Sequence, residues 1–268
     1  MPSLYKEEIK SKIDRWLDII NLGYLLFRRD FQYRFRLTYF GYVWAFVRPL
    51  LGVVPLIIIG KQFKFAEGAS VNYEMFSFIG FILLQIFWDA VVIPQWFIRR
   101  IRRIVKNIFF PYEAIIIASL FYILFYLSIY IVEIFIGFFI FKLHFSFKVL
   151  LGLFLLFLFI IAGLSIGIAI APLIFIYLDF RYSLPFFYNI LLWLTPVVYA
   201  SPKKGLLFFI NKINPLTYLL NTTRSLFLNA DVSIFSYFFA GTVFFVFLFI
   251  ASLKFYYYAI SIAKEQIL

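Results

Sequence analysis

Two carboxylates, Asp89 and Glu133, stand inside long apolar stretches of the chain, where an ionised group is expensive. Residues of this kind default to substrate paths, proton relays or internal ion pairs. Tyr122, Tyr126, Tyr130 and Glu133 follow one another by four, four and three residues, so a helix puts all of them on one face. That face has two readings. Phenolic hydroxyls beside aromatic rings suit a channel wall that stacks on sugars and hydrogen-bonds them. Phenols satisfied locally suit a seam between helices equally well. Gln85 and Asp89 form a similar pair four residues apart, and Asp89 is expected to neutralise Arg48 in a structural ion pair. Gly163, Gly167 and Ala171 make a stripe of small residues that favours close helix approach, within the subunit or across a dimer. Arg99, Arg100, Arg102, Arg103 and Lys106 form a dense basic cluster.

Enzyme signatures are missing. The sequence holds one histidine, His144, and no cysteine, which removes His-based and thiolate metal sites, disulfides and a Cys nucleophile. Neither G-x-x-x-x-G-K-[ST] nor G-x-G-x-x-G occurs. If the protein does work against a gradient, the nucleotide chemistry is expected on another chain, and no cofactor is expected on this one. A membrane-embedded glycan or acyl transferase is the competing class. It needs a carboxylate or His cluster facing one surface, and the lone His144 and scattered acids argue against it.

The elements that carry these residues must sit in lipid. The 268 residues are 65% hydrophobic, 24% aromatic and 14% charged, with mean hydropathy +0.97. Soluble chains run nearer ~45–50% apolar and ~25% charged. Long unbroken apolar runs exclude a barrel, whose strands alternate. Six runs lie near 43–61, 76–98, 114–141, 147–177, 185–200 and 232–260, and predict an all-α polytopic protein with six transmembrane helices. Residues 1–42 precede them as an amphipathic segment, leaving 43–268 as the transmembrane domain. Ile9, Ile13, Trp16, Leu17 and Ile20 share one helical face opposite charged residues. Phe27, Phe31 and Phe35 then interleave with Arg28, Arg29, Arg34 and Arg36, a pattern that suits a helix in the headgroup plane or one docked on a partner domain. Segment 201–231 has apolar pieces too short to cross, broken by Asn211, Lys212, Asn214, Pro215, Asn221 and Arg224, and reads as an outer re-entrant segment.

The net charge of +12 reads as basic cytoplasmic loops rather than a nucleic-acid surface. With both termini inside, residues 1–42 with Arg48, 99–113, 178–184 and the C-terminal end from Lys254 hold most of the Lys and Arg. Met1 to Lys12 contain no apolar core of a signal peptide, so insertion is expected to use the internal spans. Aromatic residues crowd the ends of the runs, at Tyr39–Trp44, Phe109–Tyr112 and Tyr256–Tyr258, as an interfacial belt does.

The run from Phe27 to Leu51 resembles the opening of the polysaccharide-exporting ABC-2 permeases, approximately R-D … R-Y-x-x-S-x-L-G-x-x-W-x-x-x-x-P-L. Arg29-Asp30, Arg34, Gly41, Trp44, Pro49 and Leu50 match, while Phe35, Thr38 and Phe40 replace the usual Tyr, Ser and Leu. Phe87-Trp88, Lys106 with Phe110-Pro111, Thr195-Pro196-Val197-Val198-Tyr199, and Asn214-Pro215-Leu216 followed by Arg224 continue the likeness in order. It departs at Tyr177–Tyr182, where Asp179 and Arg181 stand apart in place of an adjacent Arg-Asp. The resemblance covers nearly the whole chain.

That resemblance implies a homodimer associated with two copies of a separate ATP-binding subunit, which carries ATP and Mg. It implies export of a lipid-linked polysaccharide of the O-antigen, capsule or teichoic acid kind across the bacterial cytoplasmic (inner) membrane. An ABC-2 exporter of another amphipathic substrate is the alternative within the same superfamily. On this reading Arg29, Asp30, Arg34, Arg99, Arg100, Arg102, Arg103 and Lys106 couple to the ATPase. Tyr122, Tyr126, Tyr130 and Glu133 would line the channel, and Arg48 with Asp89 would be structural. Membrane lipids are partners and nucleic acid is not.

Overall fold

Residues 2–36, 39–63, 72–105, 110–177, 179–231 and 235–265 are described by a computed structural model, and among them every regular element is a helix. In chain order these are α1 (Pro2–Arg36), α2 (Val43–Gln62), α3 (Tyr73–Val105), α4 (Glu113–Ile140), α5 (Phe147–Ile176), α6 (Asp179–Leu194), α7 (Leu206–Ile213), α8 (Pro215–Phe227) and α9 (Phe235–Glu265). Five of them are long and apolar enough to cross a membrane: α2, α3, α4, α5 and α9. The fifth apolar run of the sequence forms α6, whose 16 residues reach about 24 Å against a hydrocarbon core of ~30 Å. It stops at Leu194 because Thr195 precedes Pro196, and a residue before proline is disfavoured in helical conformation. Length and composition alone therefore make five crossings, one fewer than the sequence runs suggest.

The axis of the bundle is α3. Its apolar window is 83% buried, against 22% for α2 and for α9, which leave most of their surface outward. Helix α5 lies closest to it, and the small-residue stripe explains why. A Cβ on Gly163 would collide with the Phe87 carbonyl, and one on Gly167 would come within 2.6 Å of the Val91 carbonyl oxygen. Ala171 is fully buried. The stripe thus packs within the subunit, the backbones meeting where no side chain fits between them. Helix α9 closes the far side of α5, and α8 wedges between α3, α5 and α9.

The first helix departs from an in-plane reading. Gly23 sits against Ala114 and Ile117, the Tyr24 ring meets Phe121, Phe27 meets Tyr122, and Phe31 meets Phe125 with ring centroids 4.7 Å apart. These contacts advance together, so the last third of α1 runs parallel to α4. Against α3 the same stretch runs antiparallel, with Asp30 paired to Arg100 and Arg34 over Trp96. Helix α2 then continues the same antiparallel course, Gly52 against Phe81 and Gly60 against Tyr73. The end of α1 and all of α2 form one broken column along α3, interrupted by a turn at Gly41 with φ +48°. The sequence pattern does not separate the two readings, because a helix buried along one face and a helix lying on headgroups need the same alternation. Ile13, Trp16, Leu17 and Ile20, earlier on α1, are all exposed and keep an apolar stripe on its surface.

Candidate functional site

The polar residues singled out by the sequence converge in the seam where α1, α3 and α4 meet. At its Arg100 end, buried Asp30 forms an ion pair with Arg100. One helical turn along, the Arg34 guanidinium lies 4.2 Å over the Trp96 ring and donates from Nη1 to the Tyr122 hydroxyl (3.4 Å) and the Tyr126 hydroxyl (3.3 Å). A cation–π contact of this type is worth about 0.5–2 kcal/mol, rising with desolvation. Burial works against the Arg34 charge, but Tyr126, Tyr122 and Asp89 outweigh it and hold its pKa above the ordinary value. Deeper still, Tyr130 donates to Asp89 Oδ2 at 2.5 Å. Beyond it Glu133 is 2% exposed, with both carboxyl oxygens buried and unpartnered among the described residues.

The four side chains proposed for the channel wall are thus packed. Tyr122 has no exposed surface and is surrounded by Phe27, Phe31, Trp96, Phe97 and Phe125. Tyr126 and Tyr130 are 6% and 3% exposed. Within the subunit Tyr122, Tyr126, Tyr130 and Glu133 are all buried, with α1 and α3 against Tyr122, Arg34 of α1 against Tyr126 and Asp89 of α3 against Tyr130. The expected Arg48–Asp89 ion pair is replaced as well. Arg48 is exposed on α2 and makes no ion pair with Asp89, acting on it only through space, while the Tyr130 hydroxyl takes the direct contact.

The coupling set divides in two. Asp30, Arg34 and Arg100 are engaged with one another's helices. Arg28, Arg29 and Arg36 face outward. Arg99 donates from Nε to the Gln95 carbonyl at 3.2 Å. The side chains of Arg102 and Arg103, and all of Lys106, lie outside the described residues. Trp96 was not anticipated; its only signal in the sequence is a position four residues before Arg100, on the same helical face.

A second polar cluster gathers at the opposite end, around the Tyr73 terminus of α3. Asn214 caps α8, its side chain accepting from the Leu216 amide at 3.0 Å with Pro215 at the first helical position. The same side chain donates to Thr195 Oγ1 at 3.1 Å. Arg224, 4% exposed, donates to the Pro196 carbonyl (2.9 Å), the Val197 carbonyl (3.1 Å) and Asn221 Oδ1 (2.6 Å), and its guanidinium lies 3.5 Å over the Phe76 ring. Burial pushes its pKa down to about 9. Tyr73 donates to the Val198 carbonyl at 2.7 Å. Two sequence motifs, Thr195–Tyr199 and Asn214–Arg224, are therefore one structural unit: an irregular turn whose carbonyls are satisfied by a buried arginine. Asn211, Thr217 and Thr223, nearby in the chain, each keep a buried side-chain atom unpartnered among the described residues.

Among the described residues, five helices are long and apolar enough to cross a membrane, and two polar clusters sit at opposite ends of the central helix. The profile of the ABC-2 type transporter family matches residues 22–228, from the docked third of α1 through the end of α8. The chain belongs to that family. It is a multi-pass protein of the bacterial cytoplasmic membrane and the transport component of its system, the family normally pairing with an ATP-binding subunit. No curated protein matches the chain.

Proposed function

We propose that the chain is the permease half of an exporter of a lipid-linked polysaccharide, working as a homodimer with two ATP-binding subunits. The observation that carries the finer reading is the opening motif. Asp30, Arg34 and Gly41 are among the matched residues, and they supply the ion pair, the guanidinium contact and the turn of the α1–α2 column. The basic Arg100 end of α3 faces the cytoplasm by the positive-inside rule, and the Tyr73 end faces out. On that orientation α6 with the turn at Thr195–Tyr199 is the sixth crossing, and α7 and α8 form the outer re-entrant segment. Arg28, Arg29, Arg36 and the 99–106 cluster meet the ATPase and anionic headgroups at the inner leaflet.

The path for the polymer lies between subunits, since the tyrosine seam is closed. Exposed apolar residues on α2 (Leu50, Leu51, Val54, Ile58) and on α6 (Phe186, Phe187) supply surface for a second copy. The test is deletion of the gene in its native cell with surface glycan detected by lectin or antibody. Glycan trapped inside on its lipid carrier supports the reading. Normal surface glycan with accumulation of a different amphipathic compound assigns the alternative substrate.

A further inference from the structure

We infer that Arg34 is a positioning residue that fastens the last third of α1 to α3 and α4. The α1–α2 column then moves as a unit with the bundle, and the outward arginines of α1 are left free to meet the partner beside the 99–106 cluster. This deepens the coupling role proposed above and rests on it for its transport readout. Three observations carry the inference. Arg34 holds α3 through Trp96 and α4 through Tyr122 and Tyr126 at once, so one side chain ties three helices. Asp30, one turn earlier on the same face, is buried and already paired to Arg100, so its charge is not offered outward. Among the described residues the column is broken at the turn at Gly41, whose φ of +48° favours glycine, and Arg34 stands on the α1 side of it. Without the fastening, that joint would let α1 swing on α2 and any push on Arg28, Arg29 or Arg36 would be lost in the swing. With it, the push is passed directly to α3.

The chain has no cysteine, so a single engineered disulfide can replace the side chain's function. A Cβ on Gly23 would lie 2.8 Å from that of Ile117, and the 3.5–4.5 Å of a disulfide is reached when the two helices part there by about 1 Å. The experiment places Gly23→Cys with Ile117→Cys in the full chain, alone and combined with Arg34→Met, Arg34→Lys or Arg29→Glu. Each is assembled with its ATP-binding subunit and compared before and after mild oxidation. The expected result is that the oxidised bridge leaves ATP hydrolysis and export of the parent within about twofold. Arg34→Met is expected to lose most coupling when reduced and regain it when bridged. Arg34→Lys falls between, since lysine keeps the charge over Trp96 without the guanidinium fork. Arg29→Glu is expected to stay uncoupled in both states. The rate of bridge formation is read separately on the permease alone, and is expected to fall about tenfold in Arg34→Met, as loss of a stacked, hydrogen-bonded cation implies. That rate needs no ATPase and no glycan. A fall in it alongside absent transport would overturn the functional reading and keep the fastening. An unchanged rate, a bridge that stops the parent's turnover, or failure of the bridge to restore Arg34→Met overturns the fastening itself.

Discussion

Removing the Tyr126 ring separates a packed seam from a channel wall, and the structure sets the size of the effect. Tyr126 is 6% exposed, its ring centroid 5.5 Å from Tyr122, 5.6 Å from Phe125 and 6.3 Å from Tyr130, and its hydroxyl accepts from Arg34. Truncating a large aromatic to alanine in a soluble core costs about 3–5 kcal/mol. In a bilayer the transfer part of that cost shrinks, because lipid is as apolar as the seam, and the cavity and lost contacts remain. Aromatic pairs contribute about 0.5–1.5 kcal/mol each, so Tyr126→Ala is expected near the low end, about 3 kcal/mol. For a chain of this size that corresponds to roughly 6–12 °C in Tm. Tyr126→Phe keeps every ring contact and loses one long hydrogen bond, about 0.5–1 kcal/mol or roughly 1–4 °C. The assay is thermal unfolding in one detergent at one scan rate, with export measured on the same preparations. Destabilised Tyr126→Ala with near-normal Tyr126→Phe is the expected pattern. Unchanged Tm in both variants with export abolished would mean that the seam opens to substrate, and the packing argument would fail.

Gly163→Val is expected to abolish folded yield, because its side chain would meet the Phe87 carbonyl at the α3–α5 crossing, whereas Gly205→Ala, with open space around it, should cost about 1–3 kcal/mol through its backbone at φ +89° and ψ −176°. Expression with size-exclusion profiles checks the first and Tm the second. Arg224→Met should free the 195–199 turn and raise proteolysis or cysteine labelling at 201–205 severalfold, with the long helices retained. Asn214→Ala removes a cap and is expected to cost about 1 kcal/mol. Cysteines at Phe145 and Gly205 should label from outside and one at Glu265 from inside; labelling of position 205 from the cytoplasm would reverse the proposed orientation.

Much of the helical framework was legible in hydropathy, since an apolar run of about 20 residues has few other stable fates in lipid. Helical spacing also placed Tyr122, Tyr126, Tyr130 and Glu133 correctly on one face of α4. What that face meets was not legible, because phenols serve a wet wall and a dry seam alike. The covering helix was the amphipathic α1, whose Phe27, Phe31 and Phe35 look the same whether they face acyl chains or Phe121 and Phe125. Asp89 found a phenol rather than Arg48 for a related reason: spacing fixes neighbours within a helix and says nothing of the partner across it. The resemblance contributed where periodicity could not. Its separated motifs at Thr195–Tyr199 and Asn214–Arg224 meet through Asn214 and Arg224, and their order in the chain gave no hint of that contact.

Reconstitution tests the central claim most directly. The permease is placed in liposomes with its ATP-binding subunit and a lipid-linked glycan on the ATPase side, and glycan protected from an added glycosidase is measured over time. Protection that appears only with hydrolysable ATP and with both subunits present is the predicted result. Protection that is independent of ATP or of this chain, or hydrolysis that the glycan lipid never stimulates while transport stays at background, would contradict it.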